Sequence, residues 1–178
     1  GCTVGDNDGT IEDQSDDLGA TLSSFDCEVS GFWNHLSQNG FGSTIYSQDA
    51  TSAGVVPDVN APEPKLGTGE IIAYGISGTN YYHMYDHNNL DEALDDTNNP
   101  ALLASDALAL DSKMDDSVAN TGNVIALGQD DELPATIPSA AAGSAGCVIT
   151  GNLGTYNVTY TSAEICPVQI KMLSQTTD

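Results

Sequence analysis

An α+β domain, with one or two helices packed on an antiparallel β-sheet, is the fold class the sequence predicts, and three observations carry it. Apolar residues recur at helical spacing early in the chain, and two runs rich in β-branched and aromatic residues lie side by side further on. Short strand candidates then fill the C-terminal third, with no βαβ alternation and no internal repeat.

Taken in order, residues 1–22 read as an acidic loop and 23–40 as the first helix. In "SSFDCEVSGFWNHLSQNGF" Val29, Phe32, Trp33 and Leu36 share one helical face, Ser23 or Ser24 suits the N-cap, and Gly40 suits the left-handed position past the end. His35 falls at the solvent edge of that helix. Residues 41–69 are rich in Pro, Gly, Ser and Asp, and Pro57, Pro62 and Pro64 enforce extended or turn geometry, so this stretch reads as a long surface excursion. The sheet occupies 70–178. "EIIAYGISGTNYYHMYD" reads as a β-hairpin about a Ser-Gly-Thr-Asn turn. A short helix is expected near 105–116, capped by Ser105 with Asp106 and carrying Ala107, Leu110 and Met114 on one face. "NVIAL", "GCVIT", "TYNVTY" and "CPVQIKML" supply the remaining strands. One domain spanning 1–178 is the expectation for a chain of 178 residues and 39% apolar content.

The charge is lopsided: 26 Asp and Glu face three lysines and no arginine, for a net charge of −23. Such a surface repels phosphate backbones and anionic headgroups, which excludes nucleic acid as a partner. It suits saline surroundings, where a short Debye length screens self-repulsion. There is no run of 18 apolar residues, and no basic segment followed by an apolar one opens the chain, so it reads as soluble. Cys2, Cys27, Cys147 and Cys166 show no C-x-x-C spacing and read as two disulfides, which belong outside the cytosol. Three connectivities are open, and the local one, Cys2 with Cys27 and Cys147 with Cys166, is preferred.

Chemistry is sparse. In "VGDNDGTIED" Asp6, Asp8, Gly9 and Ile11 follow the D-x-D-G-x-I order of a calcium loop, in which carboxylates converge, Gly allows the turn and an apolar residue anchors the loop. Val4 and Ser15 stand where the first and last acidic ligands belong. A bound Ca2+ would therefore draw on Asp6, Asp8, Thr10, Asp13 and Glu28; the alternative is a solvated acidic loop. His83 and His87 lie too far apart along a strand to clamp one ion. Asp111, Asp115 and Asp116 read as helix-end and loop carboxylates rather than a catalytic set. No G-x-S-x-G elbow appears, and nothing pairs a serine or cysteine with a base, so no enzyme is expected.

Several of these segments in this order, "GDNDGTI", "EVSGFWNHLSQNGF", "PKLGTGEIIAYGI" and "DALALDSKMDDSVANTGNVIA" followed by a cysteine-bounded loop, together resemble the globular headpiece of a bacterial type IV pilin-like protein. This is the family with a prepilin-type cleavage and methylation signal, which includes the pseudopilins of type II secretion. The resemblance implies a non-catalytic filament subunit for adhesion, motility or secretion, extracellular on the pilus and periplasmic before assembly. Its partners would be copies of itself in a helical filament. Family members open with a hydrophobic helix that residues 1–178 do not include, so the resemblance implies that the helix is either upstream in the same polypeptide or a separate chain. Cys147 and Cys166 match the cysteines that bound the family's C-terminal loop, and calcium would be structural. Two other classes stay in view: a secreted, calcium-stabilised binding module or surface adhesin taking carbohydrate on Tyr81, Tyr82, Tyr85 and His83, and an extracellular hydrolase.

Overall fold

The computed structural model describes residues 5, 8–12, 25–48, 55–76, 78–85, 101–126, 146–149, 151–161 and 166–172. Within them the order is α1 (Cys27–Gln38), β1 (Glu70–Ile76), β2 (Thr79–Tyr85), α2 (Ala104–Met114), β3 (Val124–Ala126), β4 (Val148–Ile149), β5 (Asn152–Tyr156) and β6 (Val168–Lys171). Strands β1-β2-β6-β3 form a four-stranded antiparallel sheet, and β4 pairs with β5 in a separate hairpin. The α+β expectation holds at this level.

The β1–β2 hairpin forms where its β-branched and aromatic runs placed it, with Ile76 opposite Thr79 and Gly78 at φ +75° closing the tight connection. The turn is shorter than expected, because Thr79 and Asn80 already belong to β2. Register decides which residues share a face. Ile71 pairs with Met84, Tyr82 with Ile170, and Val168 with both Met84 and Ala126, so these side chains lie on one face of the sheet. That face is covered by α2 and holds a core of Met84, Leu102, Ala107, Ala126, Val148, Tyr156 and Val168. The opposite face carries Ile72 and Tyr74, which pack with Phe25, Val29, Val55 and Ala61.

Four expectations need correction. Helix α1 starts at Cys27 rather than near residue 23: Phe25 is turned into the core, Asp26 is the N-cap without a side-chain cap bond, and the Glu28 amide donates to Glu12 O at 3.1 Å. Its end is as read, with Gly40 at φ +86°. Leu103, not Ser105, precedes α2, whose buried residues are Ala104, Ala107 and Asp111, while Met114 is exposed. Within "TYNVTY" only Thr155 and Tyr156 are in β5, and Asn157–Tyr160 turn back through a Tyr160 N–H to Asn157 O bond of 3.1 Å. The 41–69 stretch has no helix or strand among its described residues, yet it is not merely surface. Val55 and Ala61 are buried against Ile72 and Tyr74, and Pro62 O accepts the Ile71 amide at the outer edge of β1.

Cys147 and Cys166 are disulfide-bonded across a sequence separation of 19 and bound the C-terminal loop. Cys166 also exchanges two backbone hydrogen bonds with Leu102 just before α2, so this staple ties the hairpin, β6 and α2 together. Cys27 is disulfide-bonded as well; Cys2 lies outside the described residues. No helix among the described residues is long and apolar enough to cross a membrane.

Candidate functional site

Three carboxylates converge at the end of α2. One oxygen from each of Asp111, Asp115 and Asp116 lies within 4.8 Å of the others, with Asp111 buried, Asp115 half-buried and Asp116 exposed. The helix positions the first, because Asp111 falls one turn after Ala107 on the buried edge of α2. The chain then folds back in the "DDSVANTGN" loop, and the loop's own donors converge on the acids. Asp111 accepts from the Tyr156 hydroxyl at 2.9 Å and from the Ser117 amide at 3.1 Å. Asp115 accepts from the Asn123 and Val124 amides, and Asp116 accepts from the Val118 amide at 2.8 Å and the Thr121 hydroxyl at 2.7 Å. Gly122, at φ +82°, is required here, since a Cβ would run into the Asp115 carboxylate.

Burial raises the Asp111 pKa above the ordinary carboxylate value; the Tyr156 and Ser117 bonds oppose this, and the Asp116 and Asp115 charges add to it. Burial also raises the Tyr156 hydroxyl, reinforced by its bond to Asp111. Hard oxygen donors crowded in this way could hold a metal ion. The sequence reading gave these acids helix-end and loop roles; Asp111 went unread as a buried hub, and Tyr156 and Asn123 went unread as its supports.

The opening loop is pinned rather than free at its described positions. Asn80 on β2 donates to Gly9 O at 2.8 Å and accepts from the Ile11 amide at 2.9 Å, and Ile11 O accepts the Gly75 amide at 2.7 Å. Asp8 caps the turn by accepting the Thr10 amide at 2.7 Å. The Glu28 carboxylate does reach this loop, accepting the Glu12 amide at 3.3 Å. Of the expected calcium ligands, Asp8, Thr10 and Glu28 are therefore at or beside the loop, whereas Asp6 and Asp13 lie outside the described residues.

A second feature is apolar. Between α1 and the end of α2 runs a cleft of about 630 Å³, lined by Trp33, Tyr82, Met84, Met114, Ile170 and Met172 among others. Trp33 stacks on Tyr82 at 5.9 Å and 26° and is fixed by its indole N–H to Ile71 O, 2.6 Å. Of the aromatic row weighed for carbohydrate, Tyr81 and Tyr82 are half-buried and His83 is buried against Tyr74; Tyr85 is in β2, but its side chain, like all of His87, lies outside the described residues. Comparison with protein-family models, curated proteins and solved structures gave no match.

Proposed function

We propose that this chain is the globular headpiece of a type IV pilus-like filament subunit, extracellular and non-catalytic. The observation that supports the reading is the cleft. It leaves one stretch of the α2-covered sheet face apolar and open, floored by Tyr82, Met84 and Ile170 and walled by Trp33 and Met114. An amphipathic helix buries its stripe against such a face, and the resemblance implies a hydrophobic helix as the partner, on this polypeptide or on a separate one. The disulfide that ties β6 to the hairpin supports a setting outside the cytosol.

Calcium is structural in this reading. It would stiffen regions where carboxylates gather, either at the opening loop through Asp6, Asp8, Thr10, Asp13 and Glu28 or at Asp111, Asp115 and Asp116. Immunogold labelling of native cells with antibody to the headpiece tests the function. Decoration along surface fibres supports it, and label found only in the medium overturns it in favour of a secreted binding module.

A further inference from the structure

All three methionines of the chain, Met84, Met114 and Met172, line the same cleft between α1 and the end of α2. They reach it from three different elements. Met84 is on β2 opposite Val168, Met114 is the last residue of α2, and Met172 follows β6, where its amide donates to Asn80 O at 2.8 Å. Asn80 and Met84 are four residues apart on β2, so Met172 and Met84 mark two ends of the floor, about 13 Å apart, with the paired Tyr82 and Ile170 between them. Thioethers therefore stand at both ends of the floor and on the wall.

Their access to solvent differs. Met114 is 51% exposed, Met172 is half-buried, and Met84 is 7% exposed and belongs to the core. The other sulfur atoms of the described residues, in Cys27, Cys147 and Cys166, are already in disulfides, which leaves the thioethers as the sulfur that a peroxide can oxidise. Oxidation converts an apolar, adaptable side chain into a polar one that needs a hydrogen-bond donor when covered. Two of the donors along the cleft are committed: the Trp33 indole N–H to Ile71 O at 2.6 Å and the Asn123 amide to Asp115 Oδ1 at 3.4 Å.

We infer that the cleft is a redox-sensitive surface, open to an apolar occupant while Met114 and Met172 are thioethers and closed to it once they are sulfoxides. The oxidant is a peroxide. A sulfur lone pair attacks one peroxide oxygen, the O–O bond breaks, an S–O bond forms and water leaves, so that each sulfur is oxidised by two electrons and the peroxide is reduced. A setting outside the cytosol, which the Cys147–Cys166 disulfide supports, lacks the reducing thiol pool of the cytosol. The inference rests on the proposed function for its occupant, a hydrophobic helix, and adds the chemistry that releases it.

Titration of the 178-residue chain with prodan, a neutral apolar dye that the net charge of −23 does not repel, tests it. Trp33 is the one tryptophan of the chain and walls the cleft, so energy transfer from it reads the dye bound there. After hydrogen peroxide, peptide mapping should find sulfoxide at Met114 first and Met172 next, with Met84 still reduced. Dye affinity should then fall about tenfold or more, while circular dichroism stays that of the folded chain. The double variant Met114→Leu with Met172→Leu, a volume-conserving change, should show the same affinity before and after peroxide. Wild-type affinity that survives oxidation of Met114 and Met172 overturns the inference, as does a double variant that loses affinity to the wild-type extent; both leave the proposed function standing. An untreated wild type that takes no dye in the cleft overturns the inference together with the cleft's support for that function.

Discussion

Asp111 on α2 and Tyr156 on β5 meet through a 2.9 Å hydrogen bond between two buried side chains 45 residues apart in sequence. This bond joins the helix that covers the sheet to the hairpin stapled beside it. Tyr156→Phe leaves the carboxylate buried with one donor fewer, and urea denaturation should show a loss of about 1–3 kcal/mol. A loss indistinguishable from zero would mean that Asp111 finds another donor.

The raised Asp111 pKa gives a pH signature. A carboxyl whose folded pKa lies above its unfolded value favours the fold below the unfolded pKa, and this advantage is lost as pH rises through the folded one. Relative to wild type, Asp111→Asn in metal-free buffer should therefore gain stability as pH rises from below the ordinary carboxyl value of 3.8 towards neutrality. A difference independent of pH contradicts the shift.

His83 shifts the other way. Its burial lowers the imidazole pKa from 6.5 to about 3, so the unfolded chain binds the extra proton first. The stability this group contributes is complete above 6.5 and is lost as pH falls from there towards 3. His83→Leu should flatten that part of the stability-pH profile, and an unchanged slope would show that His83 does not carry it.

Gly122 has a predictable substitution. Ala there must adopt a left-handed backbone, costing about 1–2 kcal/mol, and its Cβ pushes on Asp115. Thermal melts of Gly122→Ala should show a destabilisation of at least that size, with any stabilisation by added Ca2+ reduced.

Calcium itself is tested by chelation. Removing it should lower the melting temperature without changing any binding activity of the folded headpiece. Comparing Asp116→Asn with Asp8→Asn then separates the two candidate positions, since only the variant at the occupied one should lose its response to Ca2+. An unchanged melt with chelator contradicts a structural cation.

Much of the architecture was legible. Two runs rich in β-branched and aromatic residues about a Gly-containing turn specified β1 and β2, and Val29 and Gly40 marked α1 because one anchors its buried face and the other ends it. The misplaced features share a physical cause. An acid at helical spacing counts as outward-facing by pattern, so Asp111 was read at a helix end although Tyr156 and the Ser117 amide make its burial tolerable. In the same way "TYNVTY" has strand composition, but Asn157 bonds to Cys147 O and Gly146 O at the staple and ends the pairing there. Val55 and Ala61 were hidden among Pro, Gly and Ser, because two apolar residues in a loop carry no periodicity. The cleft had no local signal at all: its lining comes from α1, α2 and three strands, and only the tertiary fold assembles it.

The most direct test of the central claim is the intact mass and N-terminal sequence of this protein in filaments sheared from its native cells. The filament-subunit account predicts that the chain is there, either extended before Gly1 by an apolar helix or starting at Gly1 beside a second chain that supplies one. Its absence from filaments, with the folded chain free in the medium, would contradict the account.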